Sequence, residues 1–271
     1  MNLLFRYFLT PISFAVIIYI LGILPVLLFS SFVPFLIGKE YIFIFVVFIF
    51  SLKIWARKRW NQQDIWMNLG FSQFKYSLLN HSFKKELFKS FMIILFWIFL
   101  LILGGFVRFK SVINYSLLLD ILFTSIFVGV AEELLFRVWF FEELKLFLST
   151  NKAIFCQSIL FSVVHPYNVG ESLTVNILMK IGLLLIGIYL NLLRINNYPN
   201  IFPSIAFHGG IVGFMFLAKS TLYVQGNYPY LIYGIKYDSF INPVSGLIGI
   251  FTLFILNLYQ IKNLKKFSKF R

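Results

Sequence analysis

Apolar runs, most about as long as a bilayer-crossing helix, recur along this chain between short basic or turn-forming stretches. Hydrocarbon offers no hydrogen-bond partners, so each run must satisfy its own backbone, and a helical bundle does so. The runs fall at about 9–32, 41–56, 90–107, 112–140, 152–166, 173–194, 201–218 and 241–261. Composition agrees: 60% of the 271 residues are hydrophobic and 13% charged, against roughly 25% charged in a soluble domain. The expected fold is therefore an all-α polytopic membrane protein of about eight transmembrane helices.

The net charge of +14 tests that count. With the N-terminus inside, sixteen Lys and Arg residues fall in inner segments and five in outer ones, the asymmetry of the positive-inside rule. Both termini are thus expected in the cytoplasm, and a bacterial inner membrane is the expected setting. The bases flank apolar runs rather than lining a groove, which argues against nucleic acid and leaves membrane lipids as partners. The inner loop 57–89 mixes aromatic and basic residues, as in a helix on anionic headgroups or a plain orienting loop. His81 within it reads as solvated. Residues 1–8, with Arg6, precede no small-residue cleavage site and read as the start of a retained helix. Cys156, the only cysteine, excludes a disulfide framework and reads as a small buried helix residue.

Charges at membrane depth are costly and functional by default. The fourth run carries Glu132, Glu133 and Arg137 in an otherwise apolar stretch. On an α-helix Glu133 and Arg137 are i,i+4 neighbours, while Glu132 points about 100° away. Arg137 is expected to hold Glu133 ionised through paired hydrogen bonds, leaving Glu132 as a general base. An ion-pair staple between helices or the proton relay of a small transporter would use the same residues. His165 ends the fifth run and His208 lies within the seventh, so two imidazoles and a glutamate pair from separate helices point to one convergent polar site. Gly209, Gly210 and Gly213 would admit close helix approach or backbone access to a substrate.

In order and spacing these residues resemble the type II CAAX prenyl endopeptidases and their bacterial relatives, the CPBP or Abi intramembrane proteases. Glu-Glu-x-x-x-Arg matches Glu132, Glu133 and Arg137, and Phe-x-x-x-His matches Phe161 and His165. His-x-x-x-Asn/Asp matches at His208 alone, because Val212 stands in the last position. The resemblance implies an endopeptidase acting on a membrane-associated or exported peptide or protein. In it Glu132 and His165 activate water, Glu133 and Arg137 organise the site and His208 stabilises the oxyanion. Val212 has no polar group, so Asn168, Asn176 or a backbone amide near Gly209 would have to substitute, or the chain is a non-catalytic immunity or scaffold protein of the family. The same Glu132, Glu133, His165 and His208 are a donor set for a divalent ion such as zinc. Arg137 competes for the Glu133 lone pairs, which favours a site without metal or other cofactor.

Three regions are expected: N-terminal helices with the basic loop (1–111), the catalytic core (112–218), and an outer loop, last helix and basic tail (219–271). Counting from run ends places Glu132 and His208 near mid-membrane and His165 toward the outer side. Matching depths suggest an Asp120–Lys180 pair, and Asn176 and Asn191 read as interhelical hydrogen-bond partners.

Overall fold

The computed structural model describes residues 7, 9–31, 33, 38, 40–110, 116–166, 171–237 and 240–268. Arg6, Lys39, Asn168 and the end of the basic tail, Lys269 and Arg271, lie outside them. The described chain is all-α apart from two short antiparallel strand pairs. Long helical segments coincide with all eight apolar runs: α1 (Thr10–Phe29), α2 (Glu40–Arg59), α5 (His81–Leu103), the segment that opens with α6 (Ser116–Glu132), α8 (Thr150–Val164), α9 (Leu173–Asn196), α10 (Phe202–Thr221) and α12 (Leu247–Ser268). Five of them are long and apolar enough to cross a membrane, namely α1, α5, α9, α10 and residues Leu247–Leu264 of α12. Leu27, Phe50, Leu103, Leu119 and Phe123 stand exposed, an apolar exterior suited to lipid. The chain is a multi-pass membrane protein.

The departures from the expected runs have local causes. Helix α5 starts nine residues before its apolar stretch because Asn80 caps it, its side chain accepting from the Ser82 N–H at 2.8 Å. His81 and the lysines after it are therefore helical rather than in a loop, although His81 is exposed as expected. The rest of the basic loop forms the short helices α3 (Ile65–Asn68) and α4 (Phe74–Leu79). The last helix begins only at Leu247, after Pro243 opens a short turn that follows the second strand pair.

The fourth run is not one α-helix. Glu133–Phe140 is a π-helical segment, followed by α7 (Phe141–Lys145); the Phe141 N–H donates to Phe136 O, five residues back. Such wide turns are rare and cluster at functional sites.

Strand β1 (Val107–Phe109) pairs with β2 (Leu222–Val224). This ties the C-terminal ends of α5 and α10 together at one face of the bundle, and α10 packs between α5 and α6. Helix α10 is the central element, buried continuously from Phe202 to Ile211. Its glycines serve close packing. A Cβ on Gly209 would stand 2.7 Å from the Ser125 carbonyl oxygen of α6, and one on Gly129 3.0 Å from the Gly209 Cα. An aromatic and aliphatic cluster of Phe136, Phe161, Tyr189, Leu190 and Phe207 packs beside this contact.

Two buried carboxylates that the sequence pattern left in loops fasten the helices. Glu86 receives Lys89 at 2.6 Å and the Tyr189 hydroxyl at 2.7 Å, joining α5 to α9. Glu143 receives the indole N–H groups of Trp55 and Trp60, each at 2.8 Å, and Arg59 at 3.0 Å, holding α2 against α7. Asn191 does bridge helices, donating to the Ser158 hydroxyl at 3.2 Å and to Gln157. Asn176 donates to the carbonyls of Glu171 and Ser172 at the start of its own helix. Cys156 is exposed on α8 rather than buried.

Candidate active site

Glu132, Glu133, Arg137, His165 and His208 come together where α6, α8 and α10 meet. His208 Nδ1 lies 2.8 Å from Glu133 Oε1, and its Nε2 lies 3.7 Å from Glu132 Oε2. The adjacent carboxylates thus take opposite nitrogens of one ring, which is the divergence expected of consecutive helical residues. His165 Nε2 lies 4.0 Å from the same Glu132 oxygen. His165 is therefore at the depth of Glu132, not displaced toward one face, because α8 is short and ends at the site.

Ring tautomers follow from the partners. A backbone carbonyl only accepts, so His165 Nδ1 donates to Phe161 O at 2.6 Å, and its Nε2 is left as an acceptor when the ring is neutral. His208 Nδ1 donates to the Glu133 carboxylate in the same way. Two imidazole nitrogens and one carboxylate oxygen therefore converge, and Glu132 Oε2 has no hydrogen-bond partner among the described residues. Two acceptors that share one water at ~2.8 Å each stand about 4.5 Å apart, slightly wider than the 4.0 Å between Glu132 Oε2 and His165 Nε2.

Arg137 does not grip Glu133 through two hydrogen bonds as expected. Both side chains are fully buried, and the closest approach is NH1 to Oε1 at 3.3 Å, with no hydrogen bond between them. The guanidinium instead lies 4.2 Å from the centre of the Phe161 ring, an Arg–aromatic contact strengthened by its dry surroundings. Phe161 therefore has two roles: its ring covers Arg137 and its carbonyl orients His165.

The exposure of the five residues is graded. Glu132 and His165 remain 29% and 28% exposed, while Glu133 and Arg137 are sealed behind them. Among the described residues Glu132 is also the one charged group on a cavity of about 380 Å³ between α1, α2, α6 and the π segment. Its other walls are apolar or aromatic, among them Phe14, Ile18, Tyr19, Tyr41 and Phe127.

Among the described residues no group of three or more His, Cys, Asp or Glu is arranged to hold an ion, and Glu133 Oε1 is taken by His208 Nδ1. Two expected substitutes for a polar residue at position 212 are engaged elsewhere. Asn176 donates to the start of its own helix, and the amides near Gly209 lie inside the α10 ladder. Val212 is half-buried one turn beyond His208.

The Asp120–Lys180 pair is not formed. Lys180 donates to carbonyls at the end of α8, with Ser162 O at 2.9 Å. Asp120 lines a separate cavity with Lys110 and Lys219, about 18 Å along α6 from Glu132 at ~1.5 Å per residue.

Residues 114–214 match the family model for type II CAAX prenyl endopeptidase Rce1-like proteins. This segment belongs to the Rce1-like family. The matched stretch contains Glu132, Glu133, Arg137, Phe161, His165 and His208, so the whole cluster lies in the Rce1-like core. That family is one of proteases, and the matched segment lies within a multi-pass membrane chain. Neither the curated proteins nor the solved structures yield a match.

Proposed function

We propose that this protein is an intramembrane endopeptidase that hydrolyses a peptide bond in a membrane-associated or exported peptide or protein, with residues 112–218 as its catalytic core. In this reading the eight helical segments carry the chain across the membrane, α8 as a short helix that ends within it and is completed by the chain that follows, with both termini in the cytoplasm of a bacterial inner membrane. The observation that carries it is the convergence of Glu132 Oε2 with the Nε2 atoms of His165 and His208, at 4.0 and 3.7 Å, from three separate helices.

The chemistry follows from those positions. A water held between Glu132 and His165 attacks the scissile carbonyl carbon while Glu132 takes one of its protons. His165 Nε2 accepts the water's second hydrogen and keeps its lone pair aimed. Negative charge develops on the carbonyl oxygen, to which a doubly protonated His208 donates from Nε2 with the Glu133 carboxylate balancing its charge. Glu132 then passes its proton to the leaving amine as the C–N bond breaks. No metal or other cofactor is required in this scheme, and the engagement of Glu133 Oε1 by His208 Nδ1 supports that reading.

The cavity beside Glu132 supports an apolar substrate segment entering between the α1–α2 hairpin and the π segment. Val212 favours a second reading, a non-catalytic scaffold or immunity protein that keeps the cluster as an ion-paired core. Comparative peptidomics of membranes carrying wild type, Glu132→Gln and His165→Ala separates the two. Cleavage products should vanish in both variants with expression unchanged. The same products from all three proteins would leave the scaffold reading standing.

A further inference from the structure

The short helix α8 raises a problem that Lys180 solves. Fifteen residues give about 22 Å of helix, less than the ~30 Å hydrocarbon core. Pro166 follows His165 and disfavours helical backbone there, and His165 is extended at φ −67°, ψ 139°. The helix therefore stops at the site, and its last carbonyls need donors that hydrocarbon does not supply.

Donors for four of the carbonyls there are in place. Phe161 O accepts from the His165 ring at 2.6 Å. Ser162 O, Val163 O and His165 O all accept from the single Lys180 ammonium of α9, the first two at 2.9 and 3.4 Å. The tie is reciprocal, because the Ser162 hydroxyl donates to Lys180 O at 2.7 Å. One cation thus gathers the last carbonyls of α8 together with that of His165, the residue that turns out of the helix.

From this geometry we infer that Lys180 is a positioning residue for His165, acting through the α8 carbonyls and not on substrate. The inference rests on the proposed protease reading only for its catalytic consequence. With the ammonium in place, residue 165 is held extended, its Nδ1 reaches back to Phe161 O, and Nε2 faces Glu132. Without it, three carbonyls at membrane depth compete for other donors and the ring loses its fixed bearing. Displacing a catalytic group by about 1 Å costs on the order of 10²-fold in rate.

The test has two readouts. The chain has three histidines, so ring ¹⁵N spectra of protein labelled at histidine in lipid nanodiscs are assigned by replacing each in turn. The second readout is kcat and KM on a quenched-fluorescence peptide selected because wild type cuts it and Glu132→Gln does not. Lys180→Met should remove the Nδ1–H signature of His165 while sparing that of His208. It should also lower kcat ~10²-fold with KM changed less than about twofold. Lys180→Arg, which keeps a cation and several donors, should restore part of both. Ser162→Ala, which removes the reciprocal arm, should shift both in the same direction but less; it decides the matter if Lys180→Met does not fold. An unaltered His165 spectrum in folded Lys180→Met, or in Ser162→Ala where only that variant folds, overturns the inference. Cleavage that persists in Glu132→Gln on every peptide overturns the protease reading instead, and the spectra still report on the clamp.

Discussion

Replacing Arg137 by methionine should destabilise the protein far more than replacing Arg137 and Glu133 together. Both side chains are fully buried, so Arg137→Met leaves a carboxylate in the interior with His208 as its remaining partner. Losing one member of a buried pair costs about 3–5 kcal/mol. The lost contact with Phe161 adds roughly 1–2 kcal/mol, which methionine packing on the ring partly returns. The pair itself is geometrically poor: its closest approach is 3.3 Å, and Glu133 Oε2 and all three guanidinium nitrogens lack hydrogen-bond partners among the described residues. A poor buried pair is worth little against neutral groups of the same shape. Glu133→Gln/Arg137→Met should therefore recover most of the loss, to within about 1 kcal/mol of wild type. Thermal unfolding in one detergent would read this as a fall in Tm on the order of 10 °C for the single variant, largely reversed in the double. Activity should not follow stability, because His208 Nδ1 then faces a neutral amide and turnover stays down by about 10³-fold or more. A double variant no more stable than Arg137→Met would refute the reasoning, since the cost would not then arise from an uncompensated carboxylate.

Further outcomes follow from the same geometry. Val212→Asn places a side-chain amide one turn from His208 and should raise kcat by about 10-fold or more if the oxyanion forms there; unchanged turnover on the selected peptide would count against that placement. Incubation with EDTA or 1,10-phenanthroline should leave cleavage intact, and loss of activity restored by zinc alone would reverse the metal-free assignment. Gly209→Ala puts a Cβ 2.7 Å from a backbone oxygen that cannot rotate away. It should cost about 1–3 kcal/mol and lower kcat by parting His208 from Glu132, so wild-type stability and turnover would show that α6 and α10 are not so tightly apposed.

Much of the site was legible because hydrocarbon makes charge conspicuous. Glu132, Glu133, Arg137, His165 and His208 stand out in apolar runs, and the structure brings all five together. The all-α architecture was legible for the same reason, since each apolar run must carry its own hydrogen bonds, and five of the resulting helices are long and apolar enough to cross a membrane. Glu86 and Glu143 were not, because hydropathy treats a charge at the end of a run as the start of a loop, whereas both are buried on helices with donors from distant segments. The π turn was hidden as well, since nothing in Glu133–Phe140 differs in composition from an α-helix of the same hydrophobicity. Lys180 was visible but was assigned the wrong partner. Depth arithmetic pairs side-chain charges, and it cannot see the carbonyls that a helix ending inside the membrane leaves open.

Those two irregularities, the π segment and the early end of α8, meet at the carboxylate–imidazole cluster. A regular fourth run would carry no widened turn directly after Glu132, and a full-length α8 would bury His165 in a continuous helical face, with its ring held beside the next turn. Both breaks expose backbone and polar atoms where lipid penalises them, so each is enclosed by protein. The α6–α10 contact through Gly129 and Gly209 closes one side, and the Lys180 ammonium closes the end of α8. In the proposed protease, catalytic geometry at membrane depth would thus depend on Gly209 and Lys180, which act through the backbone and not on substrate. Substitutions at Gly209 and Lys180 should accordingly resemble active-site variants in turnover while differing from them in stability and in the His165 ring spectrum.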